Sequence, residues 1–145
     1  MTVERIDNVG FVVEDLDAVI AFFVALGLEL EGQAPVEGPS VDRLIALDGV
    51  RADVAMLRSP GGGTAVELSR FRTPAPVAVE PGNAPPNALG IRRVMFAVDD
   101  IEATVARLRG HGQLVGEVVR YEDSYRLCYV RGPEGILVAL AERLS

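Results

Sequence analysis

Two stretches of the chain share one pattern and decide its fold. The first reads VGFVVEDLDAVIAFFVALG at residues 9–27, and the second reads VMFAVDDIEATVARLRGHG at residues 94–112. Each begins with alternating apolar residues, passes through an acidic residue into apolar residues spaced three and four apart, and ends near glycine. Alternation is typical of a strand with two different faces, and the later spacing is typical of an amphipathic helix. The sequence therefore predicts a strand–helix unit that occurs twice, with the copies 85 residues apart.

The boundaries and the buried face of each helix are also predicted. Asp15 and Asp100 occupy equivalent positions, where each carboxylate can accept a hydrogen bond from an amide of the first helical turn. Gly27 and Gly110 are expected to end the two helices. The apolar residues expected between sheet and helix are Val9, Phe11, Val13, Phe23, Phe96, Val98, Val105 and Leu108.

The remainder of each copy follows the same order. GTAVELSRF, beginning at Gly63, aligns with GILVALAER, beginning at Gly135, at a spacing of 72 residues. Turn signals rich in glycine and proline precede both segments. Further strands are expected at 42–47, 54–57, 114–121 and 127–130, with a hairpin turn at Asp48–Gly49 between the first two. Each copy is thus predicted as strand–helix–strand–strand–strand (βαβββ), which puts the chain in the α+β class.

A proline-rich stretch separates the two copies. Residues 72–89 read RTPAPVAVEPGNAPPNAL and contain five prolines. Proline removes a backbone donor and restricts φ, so this stretch is predicted to be a semi-rigid surface linker and not a strand. We therefore divide the chain into a first module at 1–71, the linker at 72–89 and a second module at 90–145, all within a single domain of 1–145.

Composition and charge exclude several classes of protein. The 145 residues are 49% hydrophobic and carry a formal net charge of −7, which indicates a folded domain and argues against nucleic-acid or anionic-membrane binding. The single cysteine, Cys128, cannot form an internal disulfide or a cysteine-based zinc site. No secretory signal and no apolar stretch long enough to cross a membrane is found, so a cytoplasmic protein is expected.

With this pattern the chain resembles the vicinal oxygen chelate superfamily, which includes glyoxalase I, bleomycin-resistance proteins, fosfomycin-resistance enzymes and extradiol dioxygenases. The stretches that carry the resemblance are DNVGFVVEDLDAVIAFFVALGLEL at 7–30, VELSRF at 66–71, VMFAVDDIEATVARL at 94–108 and VRGPEGILVALAE at 130–142. The resemblance implies two βαβββ modules whose curved sheets form a cleft with the helices outside. Because the modules of small members often pair between chains, a homodimer is expected.

The resemblance also implies where a metal would bind. In metal-dependent members each module supplies two ligands, one from its first strand and one from its last, usually histidine and glutamate. The corresponding positions here are Asn8, Glu67, Arg93 and Ala139. Only Glu67 is a strong ligand, and the permanent charge of Arg93 would repel a dication. We therefore expect no metal and no cofactor, with Arg93 replacing the charge of the metal and forming a partly buried ion pair with Glu67.

Three further features have simple structural explanations. His111, the only histidine, follows the second helix and is expected on an exposed loop, with a role as a general base or stray ligand as the alternative. Cys128 is expected to be a small buried apolar residue, and the neighbouring Arg126 keeps a reactive thiolate open as the alternative. The glycines at 61–63 lack the strand–loop–helix context of a phosphate-binding loop and fit a hairpin turn.

The three tyrosines of the chain, Tyr121, Tyr125 and Tyr129, fall within nine residues. Aromatic side chains with polar tips suit a ligand pocket, and ordinary sheet packing is the alternative. The predicted ligand-binding residues are Asn8, Val12, Glu67, Arg93, Met95, Tyr121, Tyr125, Arg126 and Ala139.

The leading hypothesis is a metal-free binding protein of the bleomycin-resistance type, which sequesters an antibiotic or aromatic metabolite in a dimer cleft. The alternative is a glyoxalase-like lyase, isomerase or dioxygenase. Such an enzyme would use an unorthodox metal site, or would work without metal through Glu67 as the base and Arg93 as the oxyanion stabiliser. A third hypothesis is a structural or regulatory dimer without a ligand. Fold alone does not decide among these functions.

Overall fold

The computed structural model describes residues 2–144 and divides the chain into two compact units. The first unit extends to Val77 and the second begins at Ala78, so the division falls within the proline-rich stretch. Each unit contains one four-stranded sheet, in agreement with the predicted α+β class. None of the helices within residues 2–144 is long and apolar enough to span a membrane.

The first unit is a βαβββ module with an additional short helix. Its elements are β1 (Asn8–Val12), α1 (Leu16–Leu26), β2 (Glu29–Glu37), α2 (Pro39–Ile45), β3 (Arg51–Ser59) and β4 (Gly62–Thr73). The strands are ordered β1-β4-β3-β2. Strand β1 runs parallel to β4, and the other two pairings are antiparallel.

The second unit has the same connectivity. Its elements are β5 (Val94–Val98), α3 (Ile101–Leu108), β6 (Gln113–Tyr121), β7 (Tyr125–Arg131), a 3₁₀ turn (Pro133–Gly135) and β8 (Leu137–Arg143). The order β5-β8-β7-β6, with β5 parallel to β8, matches that of the first sheet element for element. The predicted internal repeat is therefore confirmed.

Both main helices begin at the predicted acidic residues. Asp15 Oδ1 accepts from the amide of Ala18 at 3.0 Å, and Asp100 Oδ1 accepts from the amide of Ala103 at 3.1 Å. Gly27 ends α1 with a φ of 126°, a left-handed value that glycine adopts without steric cost. Helix α3 ends earlier than predicted, at Leu108.

The predicted core residues divide into two groups. Val13, Phe23 and Leu108 are fully buried. The other predicted core residues are half-buried: Val9, Phe11, Phe96, Val98 and Val105. Four of these five lie on β1 and β5, each of which has a neighbouring strand on one side only. Phe11 nevertheless packs against α1, with its ring centroid 5.6 Å from that of Phe23.

The predicted strand at 42–47 and its hairpin turn at Asp48–Gly49 are wrong, because residues 39–45 form α2. Pro39 supplies a preset φ at the helix start. The Asp42 carboxylate then accepts from the amides of Gly49 at 3.0 Å and Val50 at 2.9 Å, which closes the loop after the helix. The strand that pairs with β3 is β2, and its exposed residues give no apolar alternation.

The proline-rich stretch contains no strand from residue 74 to residue 89, as predicted, but its first two residues, Arg72 and Thr73, belong to β4. Part of it packs against the second unit. Ala84 is buried, and Gly82 lies so close to Gly135 that a β-carbon at position 135 would collide with the Gly82 carbonyl. Val77 and Val79, in contrast, are almost fully exposed.

Candidate functional site

In the first unit, the predicted site residues lie on the sheet face opposite α1. Phe11 on β1 is in register with Leu68 on β4, and the contact of Phe11 with α1 places both on the helix side. Side chains alternate between faces along a strand, so Asn8, Val12 and Glu67 lie on the other side. The structure therefore brings these three residues onto one face.

This face presents both polar and apolar groups. Asn8 is exposed and donates to Asp7 Oδ2 at 3.1 Å. Val12 is 64% exposed, a large value for an apolar side chain on a strand. Glu67 is half-buried, and no arginine among residues 2–77 lies within ion-pair distance of it. Of Asn8, Val12 and Glu67, only Glu67 places a carboxylate on this face.

In the second unit, Arg93, Met95 and Ala139 also share a face. Met95 is in register with Ala139, which is in register with Tyr129 on the next strand. The guanidinium carbon of Arg93 lies 5.3 Å from the centroid of the Tyr129 ring, a cation–π distance. This contact holds a positive charge over an aromatic ring on the face opposite α3.

Two more tyrosines extend this aromatic surface. Tyr125 lies four residues before Tyr129 on β7 and so points to the same side, and Tyr121 on β6 is directly opposite Tyr125. Tyr121 is 52% exposed and Tyr125 is 39% exposed. Tyr129 is absent from the predicted binding set, although its even spacing from Tyr121 and Tyr125 would have placed it there.

The structure places Arg126 away from the other predicted residues. It alternates with Tyr125 and therefore faces α3, where its Nη2 forms an ion pair with Glu102 Oε1. The predicted pairing of Glu67 with Arg93 would join the two units and stays a prediction.

The four positions that resemble a metal site do not fit a divalent ion. Ala139 is fully buried and offers a methyl group, and Arg93 holds its cation against Tyr129. Asn8 offers at most an amide oxygen, which leaves Glu67 as the single strong ligand. Within residues 2–144, the structure shows no cluster of three or more His, Cys, Asp or Glu side chains suited to a metal.

His111 and Cys128 are placed as their structural explanations predict. His111 is exposed in the turn after α3, where its amide donates to the Leu108 carbonyl at 2.9 Å. Cys128 is only 3% exposed. The pKa of its thiol is raised to about 11, mainly by burial and secondly by the nearby Glu102 carboxylate, while the Arg126 charge acts in the opposite direction. A thiol in this position is not poised to act as a nucleophile.

Two consecutive βαβββ units, each with a sheet face free of its own helix, define the glyoxalase-like class of folds. The family model of the Glyoxalase/Bleomycin resistance protein/Dioxygenase superfamily matches residues 5–140. The chain belongs to this superfamily. No protein with a curated description matches the chain.

Solved structures show the same architecture. A glyoxalase family protein from Bacillus cereus is 51% identical with a TM-score of 0.94, over 100% of this chain and 97% of that one. TnmS3, described as an antibiotic binding protein from Streptomyces sp. CB03234, is 20% identical with a TM-score of 0.62, over 99% of both chains. TioX from Micromonospora sp. ML1 is 21% identical with a TM-score of 0.60, over 95% of this chain and 98% of that one.

Proposed function

We propose that this protein is a metal-free small-molecule binding protein of the bleomycin-resistance type. It sequesters an antibiotic or aromatic metabolite in the cleft of a cytoplasmic homodimer. The observation that carries the proposal is the face of the second sheet on which Arg93 lies over Tyr129 at 5.3 Å. An aromatic surface with one oriented cation suits a small-molecule ligand, and Arg93 stands at one of the four positions where the family resemblance implies metal ligands.

The side chains on this face indicate the chemistry of the ligand. Tyr121 and Tyr125 expose aromatic rings on which a planar group can stack, and each ring carries a hydroxyl that can donate or accept. Met95 adds a polarisable, adaptable apolar contact. The guanidinium of Arg93 suits a carboxylate, phenolate or carbonyl oxygen of the ligand. We therefore expect an aromatic ligand with at least one oxygen acceptor.

The first unit supplies the complementary group in this proposal. The Glu67 carboxylate, with Asn8 and the exposed Val12 on the same face, suits an amine or hydroxyl donor of the ligand. The resemblance of the fold to that of TnmS3, which is described as antibiotic-binding, supports this class of function.

A thermal-unfolding screen of antibiotics and aromatic metabolites tests the proposal. A specific ligand at a hundredfold excess over its Kd should stabilise the protein by about 2.7 kcal/mol. Replacing Tyr121→Ala or Arg93→Gln should remove most of this gain, because each change deletes a group on the binding face. The matched control is Arg120→Gln, which alters an exposed residue adjacent to Tyr121 but on the opposite face of β6.

Three results would contradict the proposal. One is a ligand response that Arg120→Gln reduces as strongly as Tyr121→Ala. Another is stoichiometric tight binding of Mn²⁺, Ni²⁺ or Zn²⁺ through Glu67 in the unaltered protein. The third is chemical turnover of the stabilising ligand by the purified protein, which would support the enzymatic alternative.

A further inference from the structure

We infer that the first unit carries a second site, which binds a small oxoanion such as a carboxylate or phosphate group between Arg70 and Arg72. This site lies on the helix side of the first sheet, on the face opposite Glu67. It is independent of the proposed binding function. The inference rests on a cavity, on two converging arginines and on a comparison of the two repeats.

The cavity lies beside the beginning of α1 and has a volume of about 420 Å³. Its lining includes Leu16, Asp17, Asp53, Arg70 and Arg72, together with part of β2. This combination places two positive side chains and the first residues of a helix around one space. Helix N-termini and arginines both favour oxoanions.

The two arginines are held in place by one carboxylate. Arg70 Nη2 and Arg72 Nε both donate to Asp53 Oδ2, at 3.0 Å and 2.8 Å. The hydrogen bond from Arg72 lowers the pKa of Asp53, with smaller contributions from both guanidinium charges against an opposing effect of burial. A single negative charge balances only one of the two guanidinium charges. Each guanidinium has five N–H donors, so most donors are not used by Asp53.

The second unit fills the equivalent space with its own carboxylate. Glu142 Oε1 accepts from the amide of Ile101, the first residue of α3, at 2.7 Å. In the first unit, the residue aligned with Ile101 is Leu16, and the residue aligned with Glu142 is Arg70. Arginine has no acceptor atom and cannot take this role. The first unit therefore has a cavity and a cation at the position where the second unit has a bound carboxylate.

The charges on the neighbouring strand are inverted in the same way. Asp53 is in register with Arg70 in the first unit, whereas Arg126 is in register with Glu142 in the second. Arg70 turns toward Asp53 and, having no acceptor atom, offers none to the amides at the start of α1. An external oxoanion would supply the acceptor that Glu142 supplies in the other repeat.

Both aspartates that line the cavity oppose an anion, and of the two Asp53 is already hydrogen-bonded to both arginines. Asp17, in the first turn of α1, also lines the cavity. Its aligned residue, Glu102, pairs with Arg126 in the second unit, whereas no ion pair of Asp17 is found among residues 2–144. The repulsion from Asp17 favours a small anion and modest affinity. It also provides a sensitive test, because removing this charge should strengthen binding.

Titrations with sodium phosphate and with sodium acetate, at constant ionic strength, test the inference. The amides of Leu16 and Asp17 are followed by NMR. At least one anion should shift them saturably, and the tighter binder identifies the oxoanion class. Arg72→Gln should weaken binding about tenfold, because it removes one charged donor. Arg51→Gln, on the same sheet and paired with Glu37 outside the cavity, should leave binding unchanged.

Two further variants separate binding from stability. Asp17→Asn should strengthen anion binding. The double variant Asp53→Arg, Arg70→Glu copies the charge order of the second unit and keeps opposite charges on neighbouring strands. It should fold and lose the anion response, because its own carboxylate can reach the start of α1. An absence of saturable shifts with both anions, or equal losses in Arg72→Gln and Arg51→Gln, would overturn the inference.

Discussion

Arg93 shows how one side chain limits what a shared fold can bind. A guanidinium and a dication about 5 Å apart repel by several kcal/mol at an effective dielectric constant of about 20. Glu67, the single carboxylate among the four aligned positions, cannot offset both this repulsion and the missing ligands. Arg93 instead makes a cation–π contact with Tyr129.

Cys128 leads to a prediction about reactivity. At pH 8 the folded protein should react very slowly with iodoacetamide, because the thiol is 3% exposed and burial raises its pKa to about 11. In guanidinium chloride the same thiol should react at the rate of a free cysteine. Mass spectrometry of the alkylated protein at timed intervals measures both rates.

The raised pKa of Cys128 also makes the free energy of unfolding depend on pH. Below the ordinary pKa of 9.0, the thiol is neutral in both the folded and unfolded states. As the pH rises from 9.0 toward about 11, the unfolded state ionises first, so the free energy of unfolding contributed by Cys128 falls. Rapid alkylation of the folded protein at pH 8 would contradict both the burial of the Cys128 thiol and its raised pKa.

At the scale of single elements, the Asp42 carboxylate stabilises the loop that follows α2. Replacing Asp42→Ala removes the acceptor of the Gly49 and Val50 amides and should cost about 1–2 kcal/mol of stability. The measurements are urea unfolding and hydrogen exchange, with faster exchange expected at these two amides. The control Arg43→Ala alters an exposed neighbour on the same helix and should change stability little. Equal losses in both variants would show that the Asp42 carboxylate has no special role.

The elements with a strong internal pattern could be predicted from the sequence. Helices α1 and α3 and the strands that precede them, β1 and β5, follow from apolar spacing and from acidic N-terminal residues. Strand β2 could not be found in this way, because nearly all of its residues are exposed. The apolar residues of α2 suggested a strand, whereas the Gly38–Pro39 start and the Asp42 hydrogen bonds produce a helix.

The candidate site could be predicted in part. Asn8, Val12 and Glu67 share one face in the first unit, and Arg93, Met95 and Ala139 share one in the second. Proximity in sequence to the tyrosines predicts Arg126 as a site residue, but strand alternation turns it toward α3. The Asp53–Arg70–Arg72 cluster cannot be predicted from the sequence, because residues from different strands meet only once the strand register is known.

At the scale of the whole molecule, the two repeats keep the same topology while their charges diverge. The pair Asp53 and Arg70 in one unit corresponds to Arg126 and Glu142 in the other. Buried apolar positions, in contrast, are retained in both copies, as Leu68 and Leu140 show. Packing therefore maintains the fold of each repeat, and the charged positions at the helix starts are free to acquire different roles.

The proposed homodimer leads to a prediction about mass. Leu89 and Ile91, just before β5, are 97% and 93% exposed, and Leu44 on α2 is also largely exposed. Burial of these side chains against a second copy of the chain would remove apolar surface from water, which is favourable. Light scattering after size-exclusion chromatography at micromolar concentration should give twice the mass of the chain. A monomeric mass under these conditions would contradict the proposal.

Because Gly82 packs against Gly135, the two halves of the proline-rich stretch differ in how well they can accept an insertion. Residues 75–79 have exposed side chains and can accept an inserted peptide, a fluorophore or a protease recognition sequence without losing a packing contact. Insertions at 82–84 would instead displace Ala84 and separate the Gly82 carbonyl from the 3₁₀ turn. A reporter for the proposed ligand binding therefore belongs in the first half of this stretch, where it disrupts the packing of neither unit.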